Sequence, residues 1–221
     1  MSQAIFANEE VYHVWNRGVE HRPTFTAKSE YLRALTTLDF YRFQNPGLRL
    51  SKVLLLQKEE RERFFLDLRT EGKKLVEVIS YCLMPNHFHF LLKQKIKDGV
   101  PKFVSNFTNS YTRYFNTKEE RIGPLFQGIF KAVHIENDNQ LIHISRYIHL
   151  NPVVSFVIKE KDLDIYPWSS LVEFLGAKTE RICNYEIILG LFPSKEKYRQ
   201  FVHDQIDYAK ALEMVKHLVL E

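Results

Sequence analysis

Residues able to do chemistry gather in two places along the chain. In Met84-Pro85-Asn86-His87-Phe88-His89, two imidazoles interrupt an apolar run, Ile79 to Leu92, that reads as two buried strands joined by a turn. Side chains alternate faces on a strand, so His87 and His89 point one way while Phe88 and Phe90 point the other. Two neighbouring imidazoles on one face suit a single metal ion. The second place is a helix ending near Pro152, which carries Tyr147 and Asn151 four residues apart and therefore on one face, at the border of its buried stripe. Should that border face the sheet, Asn151 offers an amide oxygen to a metal held by His87 and His89, and Tyr147 stands beside the same ion. A nucleophile beside a metal is what phosphodiester transesterification requires, the cation drawing electron density from the phosphate while the phenol attacks phosphorus.

The elements that must position these groups follow from pattern and punctuation. Val11 to Trp15 is aromatic and branched and reads as a first strand, closed by the turn Asn16-Arg17-Gly18. Leu32, Leu35 and Leu38 recur at helical spacing from Lys28 to about Phe43, and Asn45-Pro46-Gly47 stops that helix. Leu50 to Leu56 and a charged amphipathic helix, Glu59 to Arg69, read as an insertion. Then come strands Leu75 to Leu83 and His87 to Lys93 around the Met84-Pro85-Asn86 turn, a helix from Pro101 to about Asn116, and a strand from Phe126 to Val133. The order strand, helix, two strands, helix, strand predicts an α+β fold, a ferredoxin-like antiparallel sheet with its helices on one face. Asn137 and Asp138 can cap the next helix, about Asn139 to Leu150, which Pro152 is expected to end at Asn151. The domain so formed spans 1–175. A helical extension follows over 176–221, anchored by Phe192, Tyr198, Phe201 and Leu212.

At 221 residues and 45% hydrophobic, the chain is long enough for a packed core. No stretch approaches the roughly 20 apolar residues of a membrane span, and the start of the chain has no secretory pattern, so a cytoplasmic protein is expected. Cys82 and Cys183, far apart, read as buried thiols. The net charge of +4 permits nucleic-acid binding without demanding it. Local clustering says more: Lys93, Lys95 and Lys97 alternate after the histidine strand, and Lys102, Arg113, Lys118, Arg121 and Lys131 follow. Lys93, Lys95, Arg113, Arg121 and Lys131 are the candidate DNA contacts, set against the plain reading of a solvated face.

Several segments together resemble the single-tyrosine HUH transposases, and in particular the REP-associated tyrosine transposases. They are Tyr12-His13-Val14 with Asn16-Arg17-Gly18, Met84 to Leu91, Gly123 to Lys131, Arg146 to Val153, and Tyr166-Pro167-Trp168-Ser169-Ser170. The resemblance implies a ferredoxin-like nuclease domain acting on single-stranded DNA, often beside a hairpin, as a monomer or homodimer with magnesium or manganese. It implies His87 and His89 as metal ligands, Tyr147 as nucleophile and Asn151 as third ligand. Tyr147 would hold the 5′ phosphate as a phosphotyrosine and release a 3′ hydroxyl, so that no ATP is needed. The family's usual Leu-Trp-Gln-Gly-Arg-Phe-Lys-Ser run is changed here, with Phe126 for tryptophan, Ile129 for arginine and Ala132 for serine. Losing the arginine removes a backbone contact that the neighbourhood of Lys95 and Arg113 could replace.

Two imidazoles and an amide are a softer set than the all-oxygen shell magnesium prefers, so manganese is expected to bind more tightly. Tyrosine, with an ordinary pKa of ~10, needs help to attack; His143 and Lys131 are candidate helpers. Tyr111 and Tyr114 are rival nucleophiles, but their helix repeats aromatic residues as packing helices do, and neither has an asparagine four residues on. His13, His134, His143 and His149 read as structural or DNA-facing, and Gln127 as a hydrogen-bonding strand residue. Two other functions fit the same residues: a domesticated hairpin-binding protein that no longer cuts, and a metal hydrolase in which the histidines activate water, which would survive Tyr147→Phe.

Overall fold

The structure, a computed structural model, describes residues 5–177 and 181–219, with side chains through 214. Along the chain run β1 (Val11–Arg17), α1 (Lys28–Tyr41), α2 (Leu50–Val53), α3 (Lys58–Glu71), β2 (Val76–Met84), β3 (His87–Gln94) and α4 (Gly99–Lys118). They are followed by β4 (Lys131–Ile135), α5 (Asp138–Val154), α6 (Leu171–Phe174), α7 (Glu186–Leu189), α8 (Lys195–His203) and α9 (Ile206–Val219). The strands form one antiparallel sheet in the order β2-β3-β1-β4. That is the ferredoxin-like arrangement expected from the order of elements.

Alternation on β3 divides the core. Phe88 and Phe90, both fully buried, meet Phe107 of α4 with ring centroids 5.2 and 5.0 Å away. Val100, Phe103, Val104, Phe107, Tyr111 and Phe115 recur every three or four residues on α4, which makes one continuous apolar stripe against the sheet. Each such phenylalanine contributes about 1.5–3 kcal/mol by burial. α1 packs beside α4 on this face. α2 and α3 close a smaller cluster around Phe40, Phe43, Leu50, Val53 and Leu68.

The other face of the sheet receives α5. Asn137 caps it, its side chain accepting from the Gln140 N–H at 2.9 Å. A buried polar network holds the helix in place: Tyr198 of α8 hydrogen-bonds Ser145 and His149, both at 2.7 Å, and His149 reaches Ser170 at 2.8 Å. α7, α8 and α9 occur in the segment expected to be helical. Tyr198 is fully buried and Phe192 and Phe201 pack against the core, but Leu212 is left half-exposed.

Two of the boundaries that differ from expectation lie beside the site. α5 runs through Pro152 to Val154 instead of ending at Asn151. Proline removes one helical N–H, but this close to the helix end its own carbonyl accepts from Val157 at 2.9 Å and Ile158 at 3.1 Å, which closes the last turn. The last strand begins at Lys131 instead of Phe126. Gly128, at φ +31°, turns the backbone out of the ladder, leaving Phe126 with an isolated bridge to Gly18. Cys82 and Cys183 are buried free thiols. Among the described residues no helix is long and apolar enough to cross a membrane.

Candidate active site

On the α5 side of the sheet, register decides which side chains meet. β1 and β3 pair so that Trp15 lies opposite His89 and Arg17 opposite His87. His13, Trp15 and Arg17 share a face by alternation, and it is the face of the two histidines. Sequence reasoning left His13 outside the site and ended the strand before Arg17. The signal was present: His13, Trp15 and Arg17 have the same period of two as His87 and His89.

Each histidine of the pair is held through the same ring atom. His87 Nδ1 hydrogen-bonds Asn86 Oδ1 at 2.7 Å, and His89 Nδ1 hydrogen-bonds His13 Nε2 at 2.9 Å. Nε2 of both rings is thereby left for the cleft. The two rings stand edge to face, with centroids 5.1 Å apart. Burial pushes the His13 and His87 imidazoles down to about 4, with Arg17 adding to the effect at His87, and holds His89 well below its usual range. All three are neutral near pH 7, the form a metal binds.

α5 brings the other two residues. Asn151 Nδ2 donates to the Tyr147 carbonyl at 2.9 Å, one helical turn back, so its Oδ1 is turned to other work. Asn151 favours the protonated His87 ring, against the larger lowering by burial. A neutral His87 has its one proton on Nδ1, toward Asn86, so the Nε2 lone pair and the Asn151 amide oxygen are donors that a cation could take in place of a proton. Tyr147 lies edge-on to His89, 5.5 Å between centroids, and is 46% exposed. Among the described residues no three imidazole, thiol or carboxylate groups form a metal cluster. The donor set that fits a metal is two imidazole Nε2 atoms and one amide oxygen, open on the cleft side for substrate.

The rival tyrosines stand elsewhere. Tyr111 is fully buried on the α4 side, donating to the Thr24 carbonyl at 2.6 Å, and Tyr114 carries the Arg33 guanidinium 5.0 Å from its ring centroid.

His87, His89, Tyr147 and Asn151 open into one cleft of about 450 Å³. Of the five candidate DNA contacts, Lys131 lines it; Arg17 and Arg146, which sequence reasoning did not select, line it too. Lys93 and Lys95 continue the histidine face further along the chain, where both pair with Glu9 at 3.1 and 2.7 Å. Arg113 and Arg121 border grooves on the α4 side. Ile129, at the position of the family's arginine, is exposed at the cleft edge. His143 lines the cleft and hydrogen-bonds Arg146 at 2.7 Å. Tyr208, Leu212 and Glu213 of α9 form a further wall.

The buried imidazoles set a pH dependence of stability. Their folded pKa values lie below the unfolded value of about 6.5, so between those limits the unfolded chain binds more protons and acid favours unfolding. For His13 and His87 the window runs from there down to about 4, and for fully buried His149 to about 3. Thermal melts of the metal-free protein are expected to show a falling Tm from about pH 7 to about pH 5, less steeply in His13→Gln.

Residues 55–151 match the family model for the IS200-like transposases, somewhat less than half of the chain. Among solved structures, one described as a REP-associated tyrosine transposase bound to a REP hairpin shares the fold with a TM-score of 0.53. It is 14% identical, and the match covers 82% of this chain and 88% of that one. No curated protein matches this chain in sequence. The resemblance to these transposases and the ferredoxin-like fold class read from the sequence are both borne out.

Proposed function

From a chain that resembles the IS200-like and REP-associated tyrosine transposases in sequence and fold, we propose a metal-dependent transposase that nicks and rejoins single-stranded DNA at hairpin or repeat sequences. The observation that carries this reading is the meeting of His87 and His89 from β3 with Tyr147 and Asn151 from α5 in one cleft. Tyr147 Oη gives up its proton and attacks the scissile phosphorus, the bond from phosphorus to O3′ breaks, and the leaving 3′ oxygen takes up a proton to become a hydroxyl. The 5′ phosphate stays on the phenol as an ester, which a second strand's 3′ hydroxyl reverses. Magnesium or manganese, held by His87, His89 and Asn151, would supply the Lewis acid that polarises the phosphate. The chain's own contribution is geometric and electrostatic. Burial keeps the imidazoles neutral, α5 sets the phenol against His89, and Arg17, Lys131 and Arg146 make the cleft positive where a phosphate backbone would run.

The test is the chemistry of the nicked ends. A single-stranded hairpin oligonucleotide incubated with the protein and manganese is expected to give a fragment that a polymerase extends from its 3′ hydroxyl. A fragment ending in 3′ phosphate would overturn the reading.

The cleft cations make a second prediction. Lys131→Ala is expected to weaken single-stranded DNA binding and to reduce the salt slope by about 0.7, the value of one lost phosphate contact. Lys95→Ala, whose ammonium is taken up by Glu9, is expected to change the slope less. Fluorescence anisotropy across a salt series measures both.

A further inference from the structure

We infer that His13 is a positioning residue, holding His89 through Nδ1 so that His89 presents Nε2 to the metal site. The contact is His13 Nε2 to His89 Nδ1 at 2.9 Å, between rings only 6% and 4% exposed. His13 is itself fixed on two sides. It stacks on Trp15, 4.8 Å between centroids at 25°, and meets the edge of Tyr147 at 5.9 Å.

The consequence follows from proton counting. A neutral imidazole has one N–H and one lone pair. If the shared proton sits on His89 Nδ1, His13 Nε2 accepts, His13 carries its own proton on Nδ1, and His89 Nε2 has a lone pair for a metal. If the proton sits on His13 Nε2, His89 must carry its proton on Nε2 and has no lone pair facing the cleft. His87 faces no such choice, because Asn86 Oδ1 only accepts and fixes the Nδ1 proton. The two ligands are thus held differently, one by an obligate acceptor and one by a partner whose tautomer decides ligand competence. The same contact excludes His13 as a third ligand through Nε2, since that atom is occupied by His89. His13 lies outside the 55–151 family match and acts through His89. Outer partners of this kind set ligand orientation and basicity.

This inference rests on the metal reading above, and the experiment separates the two. Manganese binding is titrated by electron paramagnetic resonance in wild type, His89→Ala, His13→Ala and His13→Gln, and the tautomer of His89 is read by nitrogen NMR in the metal-free protein. His89→Ala is expected to abolish binding and His13→Ala to weaken it by about 10–100-fold. His13→Gln, which returns an accepting oxygen, is expected to recover most of the loss. In wild type, His89 is expected to carry its proton on Nδ1, giving way to a mixture of tautomers in His13→Ala. Unchanged manganese affinity in folded His13→Ala, or a wild-type His89 protonated on Nε2, overturns the inference. If His13→Ala fails to fold, the wild-type tautomer and His13→Gln still decide it. Wild type that binds no manganese overturns the metal reading instead, and the tautomer measurement still reports on His13.

Discussion

Tyr147→Phe is expected to lower DNA cleavage by at least ~10³-fold, about 4 kcal/mol on the barrier, while leaving DNA affinity within a factor of about two. The substitution removes one atom. Phenylalanine keeps the ring that packs edge-on against His89 and His13, and it leaves the backbone carbonyl that receives Asn151. The candidate metal ligands, cleft walls and fold are therefore retained, and the loss falls on chemistry. No other tyrosine is placed to substitute from the core: the Tyr111 hydroxyl is sealed against Thr24, and Tyr114 lies on the α4 side under Arg33. Tyr208 of α9 does line the cleft, so Tyr208→Phe is the matching control, expected to leave the cleavage rate within about twofold. Single-turnover cleavage of a labelled oligonucleotide measures both. Equal cutting by Tyr147→Phe would put metal-activated water in place of the phenol.

The second large effect is at the histidine pair. His89→Ala is expected to cost more than 100-fold in manganese affinity, beyond what an outer partner contributes, and to destabilise the protein as well. The ring is buried between His13, Trp15, His87 and Tyr147. Its removal leaves the His13 Nε2 atom without its partner, a cost of about 1–3 kcal/mol before any cavity is counted. His87→Ala should match it in metal binding with a smaller loss of stability, since the partner released there, Asn86, also reaches the His21 carbonyl. Manganese titration and thermal melts separate the two quantities. A His87→Ala or His89→Ala protein that binds manganese as wild type does would remove the metal site from this cleft.

The elements of the fold were legible because their periods are local. Alternation about His87 and the i, i+4 pair on α5 put His87, His89, Tyr147 and Asn151 on faces that the structure brings into one cleft. What was not legible depends on register and on compensation across space. The period of two on β1 groups His13, Trp15 and Arg17, but it does not say that theirs is the face of His87 and His89, because a one-residue slip would reverse every face of β1. The candidate lysines show the same limit: Lys93 and Lys95 look like free cations in sequence, and Glu9, far away along the chain, takes both. Pro152 was read as a stop because its effect on the preceding residue is local, whereas the hydrogen bonds that carry the helix past it come from Val157 and Ile158. The α9 wall of the cleft could not be foreseen either, since an amphipathic helix does not announce which surface it covers.

The most direct test of the central claim is to trap and map the covalent intermediate. Single-stranded hairpin DNA labelled on its 3′ side is incubated with the wild-type protein and manganese, denatured, and the shifted species is digested and sequenced by mass spectrometry. One DNA-bearing peptide is expected, with the 5′ phosphate on Tyr147, absent without manganese and absent in Tyr147→Phe. Cleaved DNA with no adduct, or an adduct on any other residue, would contradict it.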